Sequence, residues 1–221
     1  MKAVIEGNPS FSHVHIDLEP GEQLIAESGA MQSMSASLDM KARSNGGFLS
    51  GLMKKWFGGE TFFVNEFSNK GSVPMRVTIA QNVPGEIREL NLKNDHDICL
   101  QRGSWLASEG DVRFKAVWAG FVSWFSGEGL VKLKASGDGR IWFGAYGGII
   151  ERKVEGELKI DDGHLVAYDP SLKLKIALAG DLLSSVLGGE GFVTKVIGTG
   201  TVYIQTRSIK GLASWLNPKF R

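Results

Sequence analysis

The stretch Asp111-Val112-Arg113-Phe114-Lys115-Ala116-Val117-Trp118-Ala119-Gly120-Phe121-Val122-Ser123-Trp124-Phe125-Ser126-Gly127-Glu128 carries the pattern that decides the fold. Val112, Phe114 and Ala116 alternate with Arg113 and Lys115. That period of two marks a half-buried strand, apolar on one face and cationic on the other. An apolar excursion follows, and a Gly-Glu pair closes it. The same order occurs twice more. Leu38, Met40 and Ala42 alternate with Asp39, Lys41 and Arg43 before the apolar segment 47–57 and Gly59-Glu60. Leu172, Leu174 and Ile176 alternate with Lys173 and Lys175 before the segment 179–187 and Gly189-Glu190. The three glutamates, Glu60, Glu128 and Glu190, stand at intervals of 68 and 62 residues.

Working outwards, each copy has matching flanks. Upstream, Gly29-Ala30-Met31, Gly103-Ser104-Trp105 and Gly163-His164-Leu165 each read as a turn glycine opening a strand. Downstream, Gly71, Gly139 and Gly200 fall 11, 11 and 10 residues after the glutamates and lead into the runs 75–79, 140–143 and 201–205. Pro20-Gly21-Glu22 and Pro84-Gly85-Glu86 supply a further matching turn. Chance does not preserve five features in one order and at one spacing. The pattern predicts an all-β chain of three tandem β-units, about 10–81, 82–152 and 153–207, in one compact domain. A single unit of roughly 60–70 residues would bury little core alone, whereas three fused units share one. Ile209, Leu212, Ala213, Trp215 and Leu216 keep helical spacing before Pro218, so 208–221 is expected to be a short helical tail with an apolar stripe.

Composition narrows the function classes. With 25 basic and 24 acidic residues, the net charge of +1 gives no bulk attraction to nucleic acid or anionic lipid. The 29 glycines suit a chain of many tight turns. Cys99 is the single cysteine, so no intrachain disulfide forms; its setting in Ile98-Cys99-Leu100 reads as an inert buried thiol. The opening residues Met1–Glu6 lack the apolar core of a signal peptide. The longest apolar run, 116–125, is broken by Gly120 and Ser123 and is far short of the ~20 residues that span a bilayer. A cytoplasmic location is the expectation.

The ordered motifs also resemble a known family across nearly the whole chain. They are Pro20-Gly21-Glu22 leading to Glu27-Ser28-Gly29-Ala30-Met31, Gly59-Glu60-Thr61-Phe62-Phe63, Pro84-Gly85, Gly103-Ser104-Trp105-Leu106-Ala107-Ser108, Gly127-Glu128-Gly129, Gly163-His164-Leu165-Val166-Ala167, Gly189-Glu190-Gly191 and the run from Gly198 to Arg207. Together they look like the bacterial relatives of the altered-inheritance-of-mitochondria, or mitochondrial biogenesis, family. The resemblance implies a short double-stranded β-helix fold similar to the trp RNA-binding attenuation protein, repeated within the chain. It also implies assembly into a homo-oligomeric ring, a trimer. It brings no agreed biochemical activity for bacterial members, and no cofactor.

Several residue groups are candidates for chemistry. Gly7, His13-Val14-His15 and Glu19 match the first half of a cupin metal motif, and two histidines at i and i+2 share one strand face. Val14, Ile16 and Leu18 occupy the opposite face as the core side, and no second cupin half follows. The expectation is therefore no metal at His13, His15 and Glu19. Glu60, Glu128 and Glu190 could form a carboxylate ring, but a threefold repeat favours turn carboxylates that accept backbone N–H groups. No Gly-x-Ser-x-Gly elbow or phosphate loop is present, so no catalytic set is assigned.

The apolar excursions are the most informative surface feature. Phe48, Leu52 and Trp56 mark the first, Phe121, Trp124 and Phe125 the second, and Leu183 and Leu187 the third. They are read as caps on the β core or self-association surfaces, with a protein or membrane-surface partner as the alternative. Lys41, Arg43, Arg113, Lys115, Lys173 and Lys175 could line a basic belt in a ring. The near-zero net charge and absent aromatic-basic interleaving argue against nucleic acid. The leading expectation is a ring-forming scaffold or binding protein. A metal-dependent cupin-like enzyme and an RNA-binding ring are the alternatives.

Overall fold

A computed structural model of the protein describes residues 1–44, 63–93, 96–118, 131–161, 163–178 and 192–220. The alternation read from the sequence sets the first sheet. Strand β1 (Lys2–Glu6) forms an antiparallel hairpin with β2 (His13–Leu18), where Val14, Ile16 and Leu18 are fully buried and His13, His15 and Asp17 face outwards. After β3 (Gln23–Glu27), β4 (Met31–Met34), β5 (Asp39–Ser44) and β6 (Phe63–Ser68) comes β7 (Met75–Ala80), which pairs with the free side of β2. The resulting four-stranded order is β1-β2-β7-β4.

The remaining strands build a larger sheet. They are β8 (Ile87–Leu92), β9 (Ile98–Leu100), β10 (Trp105–Trp118), β11 (Val131–Gly144), β12 (Ile149–Asp161), β13 (Leu165–Tyr168), β14 (Lys173–Leu178) and β15 (Phe192–Gln205). Its path runs β12-β15-β13-β9-β11-β10-β3-β6-β5, with β14 pairing β15 and β8 pairing β11. The class is all-β. Every strand pairing among the described residues is antiparallel; the isolated bridge Gly85–Gly147 is parallel.

One local device occurs at three places. The Ala30, Ser104 and His164 N–H groups donate to the carbonyls of Glu27, Gln101 and Asp161, at 3.2, 3.3 and 3.2 Å. Each turn carries a glycine with left-handed φ: Gly29 at +89°, Gly103 at +75° and Gly163 at +81°. A Cβ at Gly29 or Gly103 would meet nothing within 4 Å, so backbone conformation rather than crowding calls for glycine there. The Ala80, Gly144 and Gln205 N–H groups then donate to the carbonyls of Ala30, Ser104 and His164, each at 2.8 Å. A register shift follows each time, between Met31 and Ser33, Trp105 and Ala107, and Leu165 and Ala167. Such a bulge bends its strand and sharpens the local twist.

The core is shared along the chain. One cluster joins Val14, Ile16, Leu24 and Phe67 to Ile87, Leu106 and Trp142. A second joins Leu100, Trp105, Leu133 and Phe143 to Ile149 and Val166. A third joins Val154, Leu165, Val196 and Val202 to Cys99. Pairings of β3 with β10 and of β9 with β13 carry strands from one stretch into the next. The expected alternation holds at Leu38 and Leu172, both 4% exposed, but Met40 remains 40% exposed. The reason is position: β5 ends the strand path, with no further described strand beyond it.

The tail forms helix α1 (Ile209–Leu216), capped by the Ser208 hydroxyl, which accepts from Gly211 N–H at 3.1 Å. None of its residues is buried.

Candidate functional site

The outward face of the β1–β2 hairpin brings three metal-ligating side chains together. Antiparallel register sets Glu6 opposite His13 and Val4 opposite His15. The two histidines, two residues apart, share one face, and Glu6 projects onto that face from the neighbouring strand. A single Glu6 carboxylate oxygen, Oε2, lies 3.8 Å from His13 Nε2 and 3.9 Å from His15 Nε2. The two imidazoles meet edge to face with centroids 4.8 Å apart. Among the described residues, this is the group of three or more His, Cys, Asp or Glu side chains with ligand atoms close enough to share one ion.

The surroundings hold these groups in place. His15 Nδ1 is 2.9 Å from Thr78 Oγ1 on the adjoining β7, and Thr78 is 3% exposed. The loop between β1 and β2 is pinned to the body of the protein. Ser12 N–H donates to Gly85 O at 3.0 Å, and the Asn8 side chain bonds the backbone of Ile87 and the Ser12 hydroxyl. Gly7 opens this loop at φ +76°, where a Cβ would sit 2.3 Å from Phe11 O. Only glycine fits that close approach. One row further along the face, Arg76 makes a two-pronged ion pair with Asp17 at 2.7 and 2.8 Å, and that guanidinium holds the Asp17 carboxyl below the usual carboxylate range.

The sequence-based candidates fare unevenly. His13 and His15 come together as their spacing implied. Glu19 does not join them: it follows the end of β2, is exposed, and its N–H donates to Glu22 Oε2 at 2.7 Å. Glu6 takes its place, and only the hairpin register could have signalled it. Glu60, Glu128 and Glu190 lie outside the described residues, as do the apolar residues Phe48, Leu52, Trp56, Phe121, Trp124, Phe125, Leu183 and Leu187. Cys99 is buried, and burial pushes its thiol up, which suits an inert role. Two of the cations considered for a basic belt are committed to carboxylates, Arg43 to Glu66 at 2.8 Å and Arg113 to Asp111 at 3.5 Å.

A second feature escaped the sequence reading, which met Glu27 only as part of a motif. Glu27 lines a recess of about 260 Å³ together with Gln81, Gln101, Ser104, Tyr146 and Gln205. The Gln81 and Gln205 amides are spent on the Ala145 and Gly163 carbonyls, at 2.9 and 2.6 Å. Burial pushes the Glu27 carboxyl up to about 7.

A family model described as mitochondrial biogenesis AIM24 matches residues 3–207. The chain belongs to that family. The AIM24 match covers both the hairpin site and the Glu27 recess. An uncharacterized protein of Streptococcus pyogenes serotype M6 is 27% identical over 225 residues, spanning 98% of this chain and 90% of the relative. The X-ray crystal structure of a Streptococcus pyogenes protein superposes with a TM-score of 0.77 at 26% identity, covering 99% of each chain. The fold of that protein therefore extends over essentially the whole of this chain. No helix among its described residues is long and apolar enough to cross a membrane.

Proposed function

We propose that the protein is a ring-forming homo-oligomeric scaffold or binding protein, a trimer built from three tandem units per chain at about 10–81, 82–152 and 153–207, acting in the cytoplasm. The observation that carries the reading is the uncovered apolar stripe of α1. Ile209, Leu212 and Trp215 are 53%, 37% and 62% exposed within one chain, and Phe220 just beyond is 81% exposed. A stripe of that kind calls for an apolar surface. Strand edges support the same reading. Among the described residues β1 and β4 end one sheet, and β5 and β12 end the path of the other. Open edges invite pairing with another chain, and closed symmetry removes them. The threefold recurrence of turn, hydrogen bond and bulge supports three related units, whose stacking around an axis extends naturally to further copies.

Light scattering on the intact chain tests the assembly. The expected mass is three times the 24.0 kDa of one chain, independent of salt because the contact is apolar. An interface of this kind should bury at least ~1,000 Å². A 24.0 kDa particle at high concentration in ordinary salt refutes the ring.

A further inference from the structure

We propose that Glu6, His13 and His15 bind one divalent transition-metal ion of the zinc type on the outer face of the β1–β2 hairpin. The ligand set is two imidazole nitrogens and one carboxylate oxygen, a combination suited to zinc and its neighbours rather than to calcium or magnesium, which prefer oxygen alone. The three ligand atoms lie within 4.8 Å of one another, so the cluster must contract to hold one ion. With donors at ~2.0–2.1 Å in a tetrahedron, neighbouring donor atoms stand about 3.4 Å apart. The two imidazole–carboxylate separations, 3.8 and 3.9 Å, must each close by about half an ångström. Glu6 can supply that movement, because its side chain is 58% exposed and long, while the histidines are held on the strand.

Two further observations favour a built site over a chance meeting of surface groups. His15 Nδ1 is engaged by Thr78 Oγ1 at 2.9 Å. In the tautomer whose Nδ1–H donates to this hydroxyl, Nε2 is the nitrogen left for a metal on the Glu6 side. Metal-ligating histidines are oriented by this kind of outer contact. The third ligand comes from the opposite arm of a hairpin whose loop is locked by Gly7 and by the Asn8 and Ser12 contacts to 85–87. Both imidazoles are borne on one strand and register sets Glu6 beside them, so the ordering cost of binding falls mainly on the Glu6 side chain. Three protein ligands leave a tetrahedral ion one open position, for water or for a donor from another molecule. The inference is independent of the ring model, because all three ligands come from one chain.

The test is calorimetric titration of zinc chloride into the chelator-stripped, untagged full chain. One equivalent per chain is expected, together with a rise in melting temperature on loading. His13→Ala and His15→Ala should each weaken binding at least tenfold while keeping the strand circular-dichroism spectrum, because both side chains lie on the outer face. Glu6→Gln should weaken it by a similar factor. Thr78→Val should weaken it by about tenfold as a positioning change, and Thr78→Ser should restore it. His96→Ala, away from the cluster, should bind as the unaltered chain does. Should a variant fail to fold, the imidazole resonances of His13 and His15 in the unaltered chain decide, since both must shift in step with the first equivalent. Absence of binding at millimolar zinc overturns the proposal. So does binding unchanged in both histidine variants, or zinc that shifts other resonances and leaves these two in place.

Discussion

Glu27 shows how one residue can tie stability to pH. Its carboxyl is raised by burial from 4.5 to about 7. Below pH 4.5 it is protonated in both folded and unfolded chains and contributes nothing. Between 4.5 and about 7 the unfolded carboxyl ionises while the folded one keeps its proton, so stability falls as pH rises. Above about 7 the folded protein carries the whole cost of a desolvated charge, at most about 3 kcal/mol. Glu27→Gln should therefore raise the urea midpoint at pH 8, leave it nearly unchanged at pH 4, and flatten the decline between. An unaltered decline in the variant would mean another group causes it. Asp17 acts with the opposite sign: Arg76 lowers its pKa, so its contribution is present at neutral pH and lost in acid. The Asp17–Arg76 pair is exposed and its contribution correspondingly small.

At the scale of elements, the strands were legible because their period is local. Val14, Ile16 and Leu18 against His13, His15 and Asp17 repeat every two residues, and the buried and outward faces follow. The third member of the hairpin cluster was not legible. Glu6 meets His13 only because the 7–12 loop sets one register; a slip of one residue would turn the carboxylate to the other face. Glu19, nearer to the expected motif, is lost to a turn past the strand end. The tail was legible as an amphipathic helix, yet within one chain its stripe stays uncovered. Leu212→Asp should accordingly leave the strand spectrum and the thermal unfolding of the β body intact while lowering the mass measured by light scattering. A variant that keeps the full assembly mass would show that α1 takes no part in the contact.

At the scale of the whole molecule, edges and interior strands should differ in hydrogen exchange. β2, β11 and β15 are flanked on both sides, whereas β1, β4, β5, β8, β12 and β14 each pair on one side alone among the described residues. Backbone N–H groups of the flanked strands should be protected at every concentration. If copies associate along edges, protection in β5 or β12 should rise with protein concentration while β2 stays constant. Concentration-independent exchange at all six of these strands would remove their edges as the mode of assembly and leave α1 as the contact.

The sequence by itself determined the features written in neighbouring residues: the all-β class, the strand faces, the turn glycines at 29, 103 and 163, and the helical tail. Each depends on backbone preference or on a period of two to four residues, so a short window contains its cause. Tertiary structure alone decided which groups meet and which lose water. Trp142 joins the cluster of Val14 and Ile16, Glu27 shares a recess with Tyr146 and Gln205, and Met40 stays exposed because no described strand lies beyond β5. Desolvation and side-chain convergence are set by partners far along the chain, brought close through strand order, and no local pattern specifies that order.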